Sequence, residues 1–303
     1  MRTRTLGDGG PEVSVVGLGT NNFGARCDLG QARAVIDAAL DTGVTLFDTA
    51  DIYSQGTSEE HIGEALQGRR DRVVLATKFG KPMTDGPKIP RGSREYVRWA
   101  IEGSLRRLRT DVIDVYQMHE PDPETPIEET LAALHELVQE GKVRHIGSSN
   151  YSVEQIEEAD AVARARGLTR FVAAQNRYSL VHREAEDGLL PACERLRIGV
   201  LPFFPLASGL LTGKYVRGVK ATEGRLAGRE IPAEQLDRVD ALRRFADERG
   251  VSLLEVAVGG LAAMPAIASV IAGATTPEQV RENVKAGEWE PSADDLAALR
   301  ALR

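Results

Sequence analysis

The sequence predicts an α/β chain whose eight parallel strands close into a (β/α)8 barrel behind a short N-terminal β-hairpin. Three observations point there. Short apolar runs alternate with longer amphipathic stretches along most of the chain, eight such units can be counted, and 303 residues suit one large barrel. Parallel strands need right-handed crossovers, which leaves an open doubly wound sheet as the other arrangement. That sheet would carry G-x-G-x-x-G in its first unit, and "GLGTNNFG" (17–24) lacks the third glycine spacing. Residues 1–303 are therefore expected to form a single barrel domain.

The elements follow in order. "TRTLGDGGPEVS" (3–14) reads as a hairpin turning at Gly7-Asp8-Gly9-Gly10, placed to plug the barrel's bottom. The eight strands are expected at 13–19, 45–48, 72–78, 112–119, 143–149, 171–176, 198–204 and 267–273. Helical patterns fall between them, at 30–43, 94–109 and 127–141 among others. In 127–141, Ile127, Leu131, Leu134, Leu137 and Val138 recur at three- and four-residue steps. Thr125-Pro126 with Glu128 and Glu129 marks that helix's start, and Gly141 its end. Two insertions, 80–92 and 212–232, follow strands three and seven, on the face where barrels build their sites.

Composition removes several function classes. A net charge of −7 lacks the basic footprint that nucleic-acid binding requires. No apolar run approaches a bilayer span and "MRTRTLGDGG" has no signal core, so a cytoplasmic protein without membrane contact is expected. Cys27 and Cys193 stand alone, and His61, His119, His135, His145 and His182 show no ligand spacing, so no metal is expected.

The strand ends carry the chemistry. Asp48 ends strand two, Lys78 strand three and His119 strand four, while Tyr53 lies in the loop above strand two. Neighbouring strands sit roughly 4.8 Å apart, so Asp48 and Lys78 can pair beneath the Tyr53 phenol. A nearby cation favours a tyrosine's ionised form, making it a proton donor and acceptor near neutral pH. Singly, each residue reads as a solvated strand end, an amphipathic surface residue or a loop cap. Together, at three consecutive strand ends, they read as an acid–base site without a Ser or Cys nucleophile.

With these residues in view, the chain resembles the aldo-keto reductase superfamily over nearly its whole length. "GVTLFDTADIYSQGTSEEHIGEAL" resembles the family's Asp–Tyr signature, "VLATKFG" its lysine strand and "DVYQMHEPD" its histidine strand. "GKVRHIGSSNYS", "AAQNRYSLVHR", "FFPLASGLLTGKY" and "AGATTPEQVRENV" resemble its cofactor segments, in the family's order. The resemblance implies NAD(P)H-dependent carbonyl reduction, with Tyr53 as general acid, Asp48 and Lys78 tuning it, and His119 orienting the carbonyl.

It also implies the cofactor residues. Ser149, Asn150 and Gln175 match carboxamide-binding positions, and their mixed donors and acceptors suit an amide. Phe203 stands where the family usually has a tyrosine stacked on the nicotinamide. Pro205, Leu206, Ser208, Gly209, Leu211 and Lys214 match the segment that spans the pyrophosphate, and Thr20 and Asn21 are further cofactor positions. Gly273, Thr275, Gln279 and Asn283 match the adenosine end. The family often has Arg or Lys there for the 2′-phosphate of NADP, and this sequence has Gly273-Ala274-Thr275-Thr276. NADP(H) is expected first, with NAD possible. The implied partner is a small-molecule carbonyl substrate, an aldehyde or ketone lined by Asn22, Phe23, Tyr53, Lys81, Trp99 and the 80–92 loop. Oligomeric state is not legible. Two other functions fit parts of the pattern: a nicotinamide-binding sensor or regulatory subunit with vestigial catalysis, and a Schiff-base lyase using Lys78.

Overall fold

The computed structural model describes residues 1–215 and 226–302. Of the insertion at 212–232, residues 216–225 lie outside the described residues. Strands β1 (Thr3–Thr5) and β2 (Glu12–Ser14) form the expected antiparallel hairpin. Eight parallel strands follow: β3 (Val16–Gly19), β4 (Leu46–Asp48), β5 (Val74–Phe79), β6 (Ile113–Met118), β7 (Val143–Ser149), β8 (Phe171–Gln175), β9 (Gly199–Val200) and β10 (Val270–Gly273). They pair in the order β10-β3-β4-β5-β6-β7-β8-β9. Bonds from Val200 N to Ala266 O (2.7 Å), Ala268 N to Val200 O (3.0 Å) and Ile271 N to Pro202 O (3.2 Å) close the ring. The fold is a (β/α)8 barrel.

The crossovers are α1 (Leu29–Asp41), α2 (Thr57–Ala65), α3 (Arg94–Leu108), α4 (Ile127–Gln139), α5 (Val153–Arg166), α6 (Leu189–Leu196) and α7 (Ala233–Glu248). A short α8 (Leu253–Glu255) runs into a π-helical turn, Val256–Gly260, and α9 (Pro277–Ala286) and α10 (Ala293–Ala301) end the chain. Their starts obey local chemistry. Asp28 and Gln31 form a reciprocal cap on α1, Ser152 and Gln155 another on α5. Helix α4 begins after Pro126 with Glu128 and Glu129 in its first turn, and Gly141 beyond its end has φ +74.

Three expected strands differ most, the eighth starting at Val270 rather than 267. Strand one breaks because Ser14 Oγ donates to Val16 O (2.7 Å) and accepts from Thr45 N (2.9 Å), which turns the chain from hairpin to barrel. Strand seven shrinks to two residues because Pro202 has no N–H to extend the ladder. Phe203 adds an isolated bridge to Arg177.

Successive residues of a strand face opposite ways, so the barrel interior can be read two residues at a time. Leu46, Ala76, Val115, Ala173, Leu201 and Ile271 form one apolar cluster with Leu6 and Val13 of the hairpin, which plugs this end. Two residues further along the same strands come Asp48, Lys78, Gln117, Gln175, Phe203 and Gly273. The interior changes from apolar to polar within a single step, at the C-terminal mouth.

Candidate active site

Lys78 is fully buried, and its Nζ donates to Asp48 Oδ1 (2.8 Å), Asp48 Oδ2 (2.8 Å) and Thr49 O (2.7 Å). Burial pushes its pKa down, but the Asp48 carboxylate and Tyr53 together more than offset this and the net shift is upward. Lys78 is therefore a fixed ammonium. Its Nζ lies 5.2 Å from the Tyr53 ring centroid. The turn that carries Tyr53 is strained, with Ser54 and Gln55 at φ 50 and 54. It is pinned by Ser54 Oγ donating to Phe23 O (3.1 Å) and by Gln55 Oε1 accepting from Thr84 N (2.9 Å).

His119 extends the β6 ladder by donating its N–H to Phe79 O (2.8 Å). Its ring meets that of Tyr53 edge-on, centroids 5.9 Å apart. Burial, then the cations Lys78 and Lys81, push its pKa down to about 2, so the imidazole is neutral and has one N–H to donate. Asn150, at φ 60, donates to His119 O (2.9 Å) and holds that backbone in place. Gln175 Nε2 donates to Asp48 Oδ1 (2.8 Å) across the barrel mouth.

These groups stand at one end of a cleft of about 690 Å³. Thr20, Asn21 and Asn22 from the β3–α1 connection line it, as do Asp48, Tyr53, Lys81 and His119. Ser149, Asn150, Gln175, Phe203, Pro205, Leu206, Ser208, Gly209 and Lys214 line it too, with Gly273, Thr275, Gln279 and Asn283. Lys78 lies beneath the floor. Leu211 is fully buried in the main core and does not reach the wall.

Two residues of the expected substrate wall stand away from the cleft. Phe23 is fully buried in the main core, because its N–H turns back to Thr20 O (2.9 Å) and carries the ring inward. Trp99 packs on Tyr96, ring centroids 5.4 Å apart, and lines no part of the cleft. Residues the sequence did not single out also line it, among them Arg26, Phe204, Leu254 and Glu282. An exposed loop arginine or helix glutamate carries no signal of its own. Asp51 was also missed, a buried carboxyl just behind the site, with neither oxygen bonded to a described residue. Burial first, and then Glu59, raise its pKa well above the usual carboxylate range.

The donor set fits a nicotinamide dinucleotide. With their amide N–H groups engaged, Asn150 and Gln175 keep their side-chain oxygens as acceptors, and Ser149 adds a hydroxyl, which complements a carboxamide. Gly19 must lack a side chain, since a Cβ there would lie 2.8 Å from Ile271 Cγ2. Phe204, Ala207, Ser208 and Gly209 have φ of 54, 47, 61 and 94, coiling this segment tightly beside Lys214. Among the described residues no cluster of metal ligands occurs, and no helix is long and apolar enough to cross a membrane.

Comparison with known proteins gives the family. The chain is 36% identical over 302 residues to a probable voltage-gated potassium channel subunit beta of rice, covering 94% of this chain and 91% of that one. It is 40% identical to the uncharacterized oxidoreductase YrpG of Bacillus subtilis, over 100% and 96% of the two chains. It is 33% identical to the L-glyceraldehyde 3-phosphate reductase of Escherichia coli K12, over 94% and 87%. Residues 15–303 match the model of the aldo/keto reductase family. The chain belongs to the aldo/keto reductase family.

Proposed function

We propose that this oxidoreductase reduces small aldehydes or ketones with NADPH, accepting NADH as a second cofactor. The observation that carries the reading is the ammonium of Lys78, paired with Asp48 in full burial and held against the Tyr53 ring. When bound, the nicotinamide supplies the hydride. Tyr53 gives the carbonyl oxygen its proton, and the phenolate left behind is stabilised by the Lys78 ammonium. Neutral His119 donates its N–H to the same oxygen as negative charge develops there. Asp48 keeps Lys78 charged and in place, and Gln175 fixes Asp48. Lys81, half-exposed at this end of the cleft, suits a substrate with an anionic or polar tail. The name of the Escherichia coli relative supports the same kind of substrate.

The rice relative is named a channel subunit beta, which supports a second reading in its subunit role alone: a regulatory subunit, here one with bound nicotinamide and little turnover. A lyase is disfavoured. Its lysine must lose a proton to attack a carbonyl, whereas Lys78 bonds to Asp48 and Thr49 through its Nζ and is held protonated. Nicotinamide absorbance followed with a panel of aldehydes separates the two remaining readings. Oxidation of NADPH by wild type, abolished in Tyr53→Phe, is the expected result. Tight NADPH binding without turnover of any carbonyl would favour the regulatory reading.

A further inference from the structure

This inference rests on the reading of Tyr53 as the acid and concerns what holds its turn against Lys78 from behind. The turn Tyr53–Gly56 passes through Ser54, Gln55 and Gly56 at φ of 50, 54 and 96. A strained segment of this kind persists only where its surroundings over-determine it.

A buried ion pair lies outside the cleft, against that turn. Arg107, on α3, donates from Nε to Glu59 Oε2 (2.7 Å), and the two side chains are 11% and 0% exposed. Neither lines the cleft. Glu59 Oε1 accepts from Thr77 Oγ1 (2.6 Å), so β5 holds the carboxylate at the residue just before Lys78. The arginine side chain threads between two glycines. A Cβ on Gly56 would lie 2.6 Å from Arg107 Cδ and 2.9 Å from its Nε, and one on Gly103 would lie 2.9 Å from Nη1. Helices α2 and α3 meet backbone to backbone beside it, where a Cβ on Gly63 would lie 2.4 Å from Arg107 O. Contacts therefore run from the neighbour of Lys78, through Glu59 and Arg107, to the last residue of the turn that carries Tyr53. We propose that Glu59 and Arg107 are positioning residues, a bracket that seats the Tyr53 ring at its fixed height over the Lys78 ammonium.

Packing alone does not call for charges here, since apolar side chains of similar volume are often as stable as a buried ion pair. The pair adds direction. One carboxylate oxygen is fixed by Thr77 and the other takes the guanidinium N–H, so the stem against Gly56 has one place to lie. Asp51 sharpens the requirement. It is buried two residues before Tyr53, neither of its oxygens is bonded to a described residue, and it feels the charges of Glu59, Arg107 and Lys78. Tyr96 from α3 and Tyr116 from β6 are within reach of the same carboxyl. Without the guanidinium, Glu59 and Asp51 would face each other unneutralised, and their repulsion would act on the segment leading into Tyr53.

Three variants test this. Arg107→Met keeps the stem beside Gly56 and removes the guanidinium. Glu59→Gln with Arg107→Met removes both charges, so that neither is left buried alone. Gly103→Ala favours the helix and adds a methyl whose three nearest contacts would all be Arg107 atoms, so it moves the guanidinium in a chain that keeps its fold. The readouts are kcat, KM and NADPH dissociation constants, with a near-ultraviolet titration of Tyr53 taken as the difference from Tyr53→Phe in the same background. The first two variants should lower kcat ~10- to 100-fold and leave the NADPH dissociation constant unchanged. As the ring moves off the ammonium, the Tyr53 titration and the alkaline limb of kcat should both shift to higher pH. Gly103→Ala should shift both in the same direction, by less. Variants that lose only melting temperature, with the kcat and Tyr53 titration of wild type, would make the pair merely structural and overturn the proposal. If wild type reduces no carbonyl, the reductase reading fails by itself. The Tyr53 titration needs no turnover and still decides the bracket, which falls if that titration is unmoved in all three variants.

Discussion

Replacing Lys78 with methionine keeps most of the side-chain volume and removes the charge. Three short hydrogen bonds go, two to Asp48 at 2.8 Å and one to Thr49 O at 2.7 Å. Asp48 keeps the Gln175 amide at 2.8 Å and is left 2% exposed with no cation. Breaking a buried pair on one side costs ~3–5 kcal/mol. An independent ceiling comes from proton uptake, the orphaned carboxylate's way out. At 1.36 kcal/mol per unit above an ordinary carboxyl value near 3.9, neutralisation costs ~4 kcal/mol at pH 7 and ~1.5 kcal/mol at pH 5. The two figures agree at neutral pH. The native variant then holds a proton that its unfolded chain releases, so the deficit should grow as pH rises. Urea unfolding of both proteins at pH 5 and pH 7, without cofactor, measures it. A deficit below ~1 kcal/mol at pH 7, or one equal at both pH values, would refute the pairing argument.

Tyr53→Phe should lower kcat by ~10²–10⁴ while cofactor Kd stays within a few-fold of wild type, since the phenol serves the carbonyl; wild-type turnover would sink the acid assignment. His119 is held neutral with its pKa depressed to about 2, so it contributes stability that is lost as pH falls from ~6.5 toward 2, at up to ~1.36 kcal/mol per unit. His119→Asn should therefore flatten the acid limb of stability, and an unchanged slope between pH 6 and 4 would contradict the buried neutral imidazole. Asp51 has the opposite sign. Its raised carboxyl favours the fold at low pH and loses that contribution as pH rises. Asp51→Asn should gain stability relative to wild type between pH 4 and 7, a trend readable from melting temperatures across that range. A constant difference would show that Asp51 ionises normally.

Much of the site could be read from the chain because barrel strands translate sequence parity into direction. "TLFD" and "VLATK" each pass from an apolar inward residue to a charged one two positions later, and that step locates the mouth. The start of α4 was legible for a similarly local reason, Pro126 and the acidic first turn of Glu128 and Glu129 being written within a few residues. What escaped depends on distant contacts. Phe23 sits among polar residues yet turns under the barrel rim, and Trp99 follows the packing of α3 on the 80–92 loop, where Gly86 approaches its ring. The end of strand one was hidden because Ser14 and Thr45 exchange hydrogen bonds across 31 positions.

The Gln175–Asp48 bond joins β8 to β4, strands that are not neighbours in the sheet, and so ties opposite sides of the mouth together. The amide that steadies the acid–base pair also keeps an oxygen turned over to the carboxamide role proposed for it. Substitutions at 175 should therefore be pleiotropic, shifting cofactor affinity and proton transfer at once, and epistatic with any change at Asp48 or Lys78. Selection for a new cofactor would find position 175 closed. Selection for a new substrate would be channelled into positions such as Lys81, which lines the cleft and pairs with Glu120 at 3.7 Å.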